Sequence, residues 1–353
     1  MATSSLGGAA LAQQPAQRLI HDDLLSLIPA SQPGGLVVGL RINGREMLYS
    51  AGQGVRQDSQ FNIASLRKPF EATLLAEAVL ANKLSLDDPV DKYVTELRQG
   101  GDIRQVTLGQ LATHTSGLLL PQDHPPWPTA RYTLASFLDT LKAWQAEAHF
   151  RPGEQHMYTH AGYILLQVAL ERALHEPIRE LLEQRILRPL AMRDSLVPEP
   201  GKPPPRAVQG YDEDGKPVGV PGDQQTYYDF PGTGQMYSTA SDLLRFLAAN
   251  AGEGDVAAGL REAMQLAQAP AVRIDRNTAQ GLAWEIEDGG GVLMIDKNGG
   301  LNNASAYMGV LPALRLSLVV LCNRGGVDVN SAGRKVLREL AARRSSPDVS
   351  QSH

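Results

Sequence analysis

The chain has 353 residues, 33 basic and 38 acidic side chains, and a net charge of −5; 42% of it is hydrophobic and 20% charged. That is the balance of a globular protein with room for roughly two domains, and it excludes collagen-like, coiled-coil and wholly disordered chains. A mildly acidic chain has no global electrostatic reason to hold nucleic acid, no apolar run approaches the roughly 18 residues that would span a bilayer, and the single cysteine, Cys322, excludes internal disulfides and cysteine-built zinc or iron–sulfur centres. Residues 1–16 are small and apolar, and Ala10-Leu11-Ala12 has the A-x-A form of a signal cleavage site. They read as a signal-peptide remnant or a disordered tail. The first reading places the mature protein in a periplasm.

Apolar spacing predicts a helix over 17–29 that ends at Pro29. Gly35 to Ser50 reads as strand, Asn43-Gly44 turn, strand, which is a hairpin. Ser65 to Leu84 reads as a long helix, and helical patterns dominate from about Thr107 to Leu190. Pro198 to Pro205 is a loop, because its prolines cannot continue a helix. Residues 239–250 and 256–268 read as helices. From 281 the pattern turns to strands punctuated by Gly and Pro, as in an antiparallel meander, and 330–343 closes as a helix. Strands at both chain ends around a helical middle argue for an α+β fold, with one antiparallel sheet built from both ends. The expected division is a discontinuous sheet domain over 17–84 and 270–343, a mostly helical domain over 85–269, and a disordered tail over 344–353.

The chemistry concentrates in three places. Phe61 to Phe70 reads F-N-I-A-S-L-R-K-P-F, and its S-x-x-K occurs once in the chain. Pro69 suits only a first helical turn, so Ser65 falls at a helix start with Lys68 one turn on. A serine hydroxyl needs a base, and a lysine amine serves once its pKa falls. A Pro-Gly turn then delivers Tyr158-Thr159-His160 ahead of an apolar helix. Asp296 to Gly300 reads D-K-N-G-G inside the strand cluster, and Lys297 is the only lysine followed by x-G. Gly299 and Gly300 leave the backbone open to a ligand.

In this order, S-x-x-K, Y-x-H and K-x-G resemble the signature of the class C β-lactamases and their D-alanyl peptidase and esterase relatives. L-A-T-H-T-S-G-L (111–118), R-P-G-E-Q-H-M-Y (151–158), V-Q-G-Y-D-E-D-G-K-P-V (208–218), M-Y-S-T-A-S-D-L-L-R-F-L (236–247) and G-L-A-W-E-I (281–286) extend the resemblance over roughly residues 20–340. It implies the β-lactamase/transpeptidase-like fold and hydrolysis of a β-lactam amide through an acyl-enzyme on Ser65. Lys68 and Tyr158 would share the base role, with Lys68 and Lys297 favouring the Tyr158 phenolate. The backbone N–H groups of Ser65 and Gly300 would form the oxyanion hole. Lys297 would attract a substrate carboxylate, with help from Asn323 and Arg324. Gln122 would contact the acylamide side chain, or else be a solvated loop residue.

Two positions depart from the family pattern. His160 replaces an asparagine and brings a titration near pH 6.5, so an extra inflection is expected in the pH–rate profile. Asn298 replaces a hydroxyl residue. His156 and His160 stand i, i+4 apart, but no third ligand is evident, so no metal and no cofactor are expected. The expected partner is a small-molecule substrate, a β-lactam or D-amino-acid peptide bearing a carboxylate, and the protein is expected to be a monomer. The rival readings keep the fold and change the outcome: a D,D-peptidase or D-aminopeptidase, an esterase, or a penicillin-binding sensor that turns over slowly.

Overall fold

The computed structural model describes residues 16–123, 131–199, 201–223, 228–230, 236–289 and 291–345. Its centre is an antiparallel sheet of eight strands in the order β2-β1-β12-β11-β10-β9-β8-β7. The first two, β1 (Gly35–Ile42) and β2 (Arg45–Gly52), form the expected hairpin. Asn43 and Gly44 both take positive φ, 51° and 84°, as a two-residue hairpin turn requires. The remaining sheet strands come from the far end of the chain: β7 (Val272–Arg273), β8 (Thr278–Gln280), β9 (Glu285–Gly289), β10 (Val292–Leu301), β11 (Ala304–Leu311) and β12 (Leu316–Cys322). β1 pairs with β12 from Leu36↔Cys322 to Ile42↔Leu316, so the two chain ends close one sheet. Two small pairs lie outside it: β3 (Phe61–Asn62) with β6 (Tyr237–Ser238), and β4 (Gly210–Tyr211) with β5 (Pro217–Val218).

The sheet is covered on both faces, which is why β1, β11 and β12 are almost wholly apolar. Leu36, Val38 and Leu40 alternate onto one face, where they meet Ile20, Leu24 and the C-terminal helix residues Val336 and Leu337. Val37, Val319 and Leu321 face the larger core. Gly39 also faces that way, where a methyl would stand 3.0 Å from Leu244. The stretch expected as a helix over 17–29 is helical but not α throughout. It winds as a π turn over Ile20–Leu24 and a 3₁₀ turn over Leu25–Leu27 before Pro29.

The helices are α1 (Lys68–Leu80), α2 (Leu108–Ala112), α3 (Leu134–Ala143), α4 (His160–Leu174), α5 (Ile178–Leu182), α6 (Ala240–Asn250), α7 (Ala258–Ala267) and α8 (Val329–Ser345). α1 is enclosed, with every residue from Lys68 to Ala76 buried. Phe70 stacks on Phe246 of α6 at 3.8 Å between ring centres. A helix buried all round carries no amphipathic stripe, and its polar residues must find partners inside the protein.

Candidate active site

Ser65 sits in a 3₁₀ turn, Ala64–Arg67, that runs directly into α1. The turn is held from behind. β3 pairs with β6, and the Ile63 N–H donates to the Met236 carbonyl at 3.0 Å. Ala64 has φ 48°, a left-handed conformation that costs a side-chain-bearing residue about 1 kcal/mol or more. Asn62 Oδ1 accepts the Ala64 N–H at 3.0 Å and fixes that conformation. The chain thereby turns sharply and presents the Ser65 hydroxyl at the N-terminal end of α1.

Two groups converge on Ser65 Oγ. Lys68 Nζ lies 3.0 Å away and the Tyr158 hydroxyl 2.6 Å away. Lys68 Nζ also lies 5.0 Å from the centre of the Tyr158 ring and 5.5 Å from that of Tyr163. Burial pushes the Lys68 amine down to about 8, against the pull of Glu71 and Asp123. A neutral lysine amine has a lone pair that can take the serine proton. Tyr158 behaves differently from the sequence expectation of a favoured phenolate. Burial raises its hydroxyl above the ordinary range, and the opposing charge of Lys297 does not cancel that effect. Tyr158 is thus a neutral hydroxyl at rest, and of the two groups Lys68 is the readier proton acceptor.

Strand β10 closes the other side. Its pairing with β9 ends at Asp296, so Lys297–Leu301 run along an edge that β9 leaves free. That edge lies against the serine turn: a methyl on Gly299 would stand 2.9 Å from both the Ser65 nitrogen and the Ile63 carbonyl. Gly300 is exposed, with no atom within 4 Å of such a methyl. Lys297 is 1% exposed, with Nζ 4.8 Å from the Tyr158 ring centre and 3.4 Å from Glu285 Oε1. Asn298 is half-buried beside it.

A family model described as Beta-lactamase matches residues 22–343. The chain belongs to the beta-lactamase family. Among its relatives, a beta-lactamase of Pseudomonas fluorescens is 25% identical, over 87% of this chain and 93% of that protein. One of Lysobacter lactamgenus is 26% identical, over 89% of this chain and 88% of that protein. Among solved structures, a class C beta-lactamase superposes with TM-score 0.81 at 23% identity, covering 97% of this chain and 99% of that one. A D-alanine carboxypeptidase of Burkholderia cenocepacia gives TM-score 0.78 at 25% identity, covering 95% and 99%. The fold is that of the class C beta-lactamases, as the resemblance implied.

Against that family background, several expectations change. The His160 ring stands edge-on to Tyr158 at 5.4 Å, so it does lie beside the chemistry. Burial first, then the charges of Lys68 and Lys297, drive its pKa to about 3. The expected titration near pH 6.5 therefore falls away, because burial and the neighbouring Lys68 and Lys297 both oppose a charge on the ring. Asn323 is buried and its amide is already partnered. Its Oδ1 accepts the Gly35 N–H and its Nδ2 donates to the Gln209 carbonyl, both at 2.7 Å, so the amide is committed to joining backbone segments. Arg324 donates instead to Gln32 and to the Glu213 carbonyl. His156 is paired with Gln280 at 3.1 Å. Among the described residues no three potential ligands cluster for a metal. The Gln122 side chain lies outside the described residues.

Sequence reasoning also missed residues. Asp123 Oδ1 accepts the backbone N–H groups of His160 and Ala161, and its Oδ2 accepts that of Leu120. It caps α4 and fixes where Tyr158 emerges. No local signal marks this, because the cap comes from a distant turn rather than the helix's own N-cap Thr159. His114 accepts the Thr159 N–H at Nδ1, and its ring lies 4.3 Å from that of Tyr158. Burial and the nearby lysines keep it neutral.

Proposed function

We propose that this chain is a class C-type serine β-lactamase that opens the β-lactam amide through an acyl-enzyme on Ser65. The observation that carries the reading is the meeting of Lys68 Nζ and the Tyr158 hydroxyl on one serine oxygen, beneath the free edge of β10. Lys68 as neutral amine takes the Ser65 proton while Oγ bonds to the carbonyl carbon. The developing oxyanion is received by the N–H groups of Ser65 and Gly300, in a site where preorganised donors are worth several kcal/mol. The C–N bond then breaks, and Tyr158 hands its hydroxyl proton to the leaving nitrogen and is refilled from Lys68. Water, deprotonated by the same pair, releases the acid. Lys297 and Asn298 receive the substrate carboxylate and acylamide, and His160 lines the pocket as a neutral ring. The site then lies at the seam between the two-ended sheet and the helical segment 85–269.

A second reading is favoured by one of the structural relatives, a D-alanine carboxypeptidase. The same residues acylated by a D-alanyl peptide would give that activity. Another relative's structure holds cefoxitin, which supports the β-lactam reading. We place the working protein in a periplasm, in keeping with the A-x-A sequence at Ala10 to Ala12. No helix among the described residues is long and apolar enough to cross a membrane.

Intact-protein mass spectrometry with a slowly hydrolysed β-lactam tests the assignment. One adduct is expected, lost in Ser65→Ala, with nitrocefin turned over by the wild type. An adduct that survives in Ser65→Ala removes the nucleophile assignment. Turnover of a D-Ala-D-Ala peptide without nitrocefin turnover selects the second reading.

A further inference from the structure

Beside Lys68 lies an ion pair that no step of the reaction uses. Arg67 and Glu71 are 7% and 3% exposed, and Arg67 Nε stands 2.6 Å from Glu71 Oε1. Arg67 also donates to Gln167 Oε1 of α4 at 2.7 Å, and Gln167 is fully buried. Removing two charges from water costs several kcal/mol per ion, and such pairs are poor stability devices. Their place in the sequence suggests another purpose. Arg67 immediately precedes Lys68. Glu71 follows it by three residues, on the same face of α1. The carboxylate favours the ammonium form of Lys68 and the guanidinium favours the neutral amine, so the two bias one group in opposite senses.

We propose that the Arg67–Glu71 pair, anchored to α4 by Gln167, is a positioning device that sets the proton state of Lys68 and hence the pH at which Ser65 becomes nucleophilic. The inference rests on Lys68 acting as the base. The other groups facing Lys68 are Asp123 from its 3₁₀ turn, the hydroxyl and ring of Tyr158, the ring of Tyr163, His114, and His160 on α4; Lys297 stands over the Tyr158 ring. Of these, Tyr163 also feels the charge of Glu71. Arg67 ends the serine turn and Glu71 stands in the first turn of α1, so the balance between them can be changed without substituting a residue that lines the pocket.

The test is the acid limb of the pH profile for Ser65 acylation, read as a second-order rate by intact mass. In this limb the free enzyme's base loses its proton. Glu71→Gln should move the limb to lower pH by about 1 unit, and Arg67→Gln should move it upward by a similar amount. Thermal melts establish which variants fold, and either variant alone decides the sign. A purely structural pair would lower the amount of folded protein and leave the limb in place. An unmoved limb in whichever variant folds overturns the proposal. Lys68→Ala is the separate control. If it acylates at the wild-type rate, the base assignment has failed, whatever the pair does.

Discussion

His160 shows how burial decides the behaviour of a residue whose type suggests a pH switch. Its unperturbed pKa would be about 6.5, but the folded protein holds it at about 3. Between those values the unfolded chain binds a proton that the native chain refuses, so stability falls as pH drops from about 6.5 toward 3. From pH 7 to pH 5 this amounts to about 2 kcal/mol, and His160→Asn should remove that share of the acid sensitivity. Urea unfolding at the two pH values measures it. Activity should respond in the opposite way: wild type and His160→Asn should give parallel kcat/KM profiles between pH 5 and 8. A variant-specific inflection near pH 6.5 would return the ring to the titrating chemistry. The S-x-x-K motif was legible because one helical turn brings Lys68 to Ser65, and K-x-G because its glycines mark a strand that another segment approaches closely. The protonation states of Tyr158 and His160 were not, because burial is a property of the assembled core.

At the scale of elements, two neighbouring glycines of β10 differ in what surrounds them. A methyl at Gly299 would press on the Ser65 nitrogen and the Ile63 carbonyl at 2.9 Å, whereas one at Gly300 meets nothing within 4 Å. Gly299→Ala should therefore lever β10 off the serine turn and slow Ser65 acylation by about 100-fold, the usual cost of roughly 1 Å of misplacement. Gly300→Ala should stay within a few-fold. Equal losses in both variants would show that the strand's edge, rather than its closeness to Ser65, limits the rate. The same scale shows what a sequence pattern can carry. The β1–β2 hairpin was legible through Asn43-Gly44, and the last strands through their apolar runs. The helical reading from Thr107 to Leu190 was too generous. Thr107 forms a capping box, but α2 ends at Ala112, and positive φ at His114 (55°) and Gly117 (67°) turns the chain away. β7 and β8 are too short to show period-2 alternation, and only pairing makes them strands, β8 with β9 and β7 with β8.

For the whole molecule, the same geometry that closes the sheet also holds the site. α8, from the end of the chain, sends Arg334 across the sheet to Asp296 at 2.6 and 2.8 Å and to Glu285 at 2.8 Å. Asp296 also accepts the Tyr307 hydroxyl at 2.9 Å, and Glu285 reaches Lys297 at 3.4 Å. Burial works to raise the Glu285 carboxyl, yet Lys297 and Arg334 together hold it below its ordinary range. Arg334 thus shares Glu285 with Lys297, so the lysine is not the sole partner of that carboxylate; on the proposed function this leaves it partly free for a substrate carboxylate. Arg334→Met strands Asp296, which is 1% exposed, without its counter-charge. Breaking a buried pair in this way costs about 3–5 kcal/mol, which should lower Tm by roughly 10 °C. It should also leave Glu285 to Lys297 alone and draw the ammonium inward. KM should rise for a carboxylate-bearing cephalosporin while a neutral p-nitrophenyl ester keeps its KM. Asp296→Asn on top of Arg334→Met removes the stranded charge but not the claim of Glu285 on Lys297, so Tm should recover in part while the KM difference persists. If Tm and the KM ratio return together in the double variant, the two effects share one cause, and Arg334 acts on Lys297 only by holding the fold.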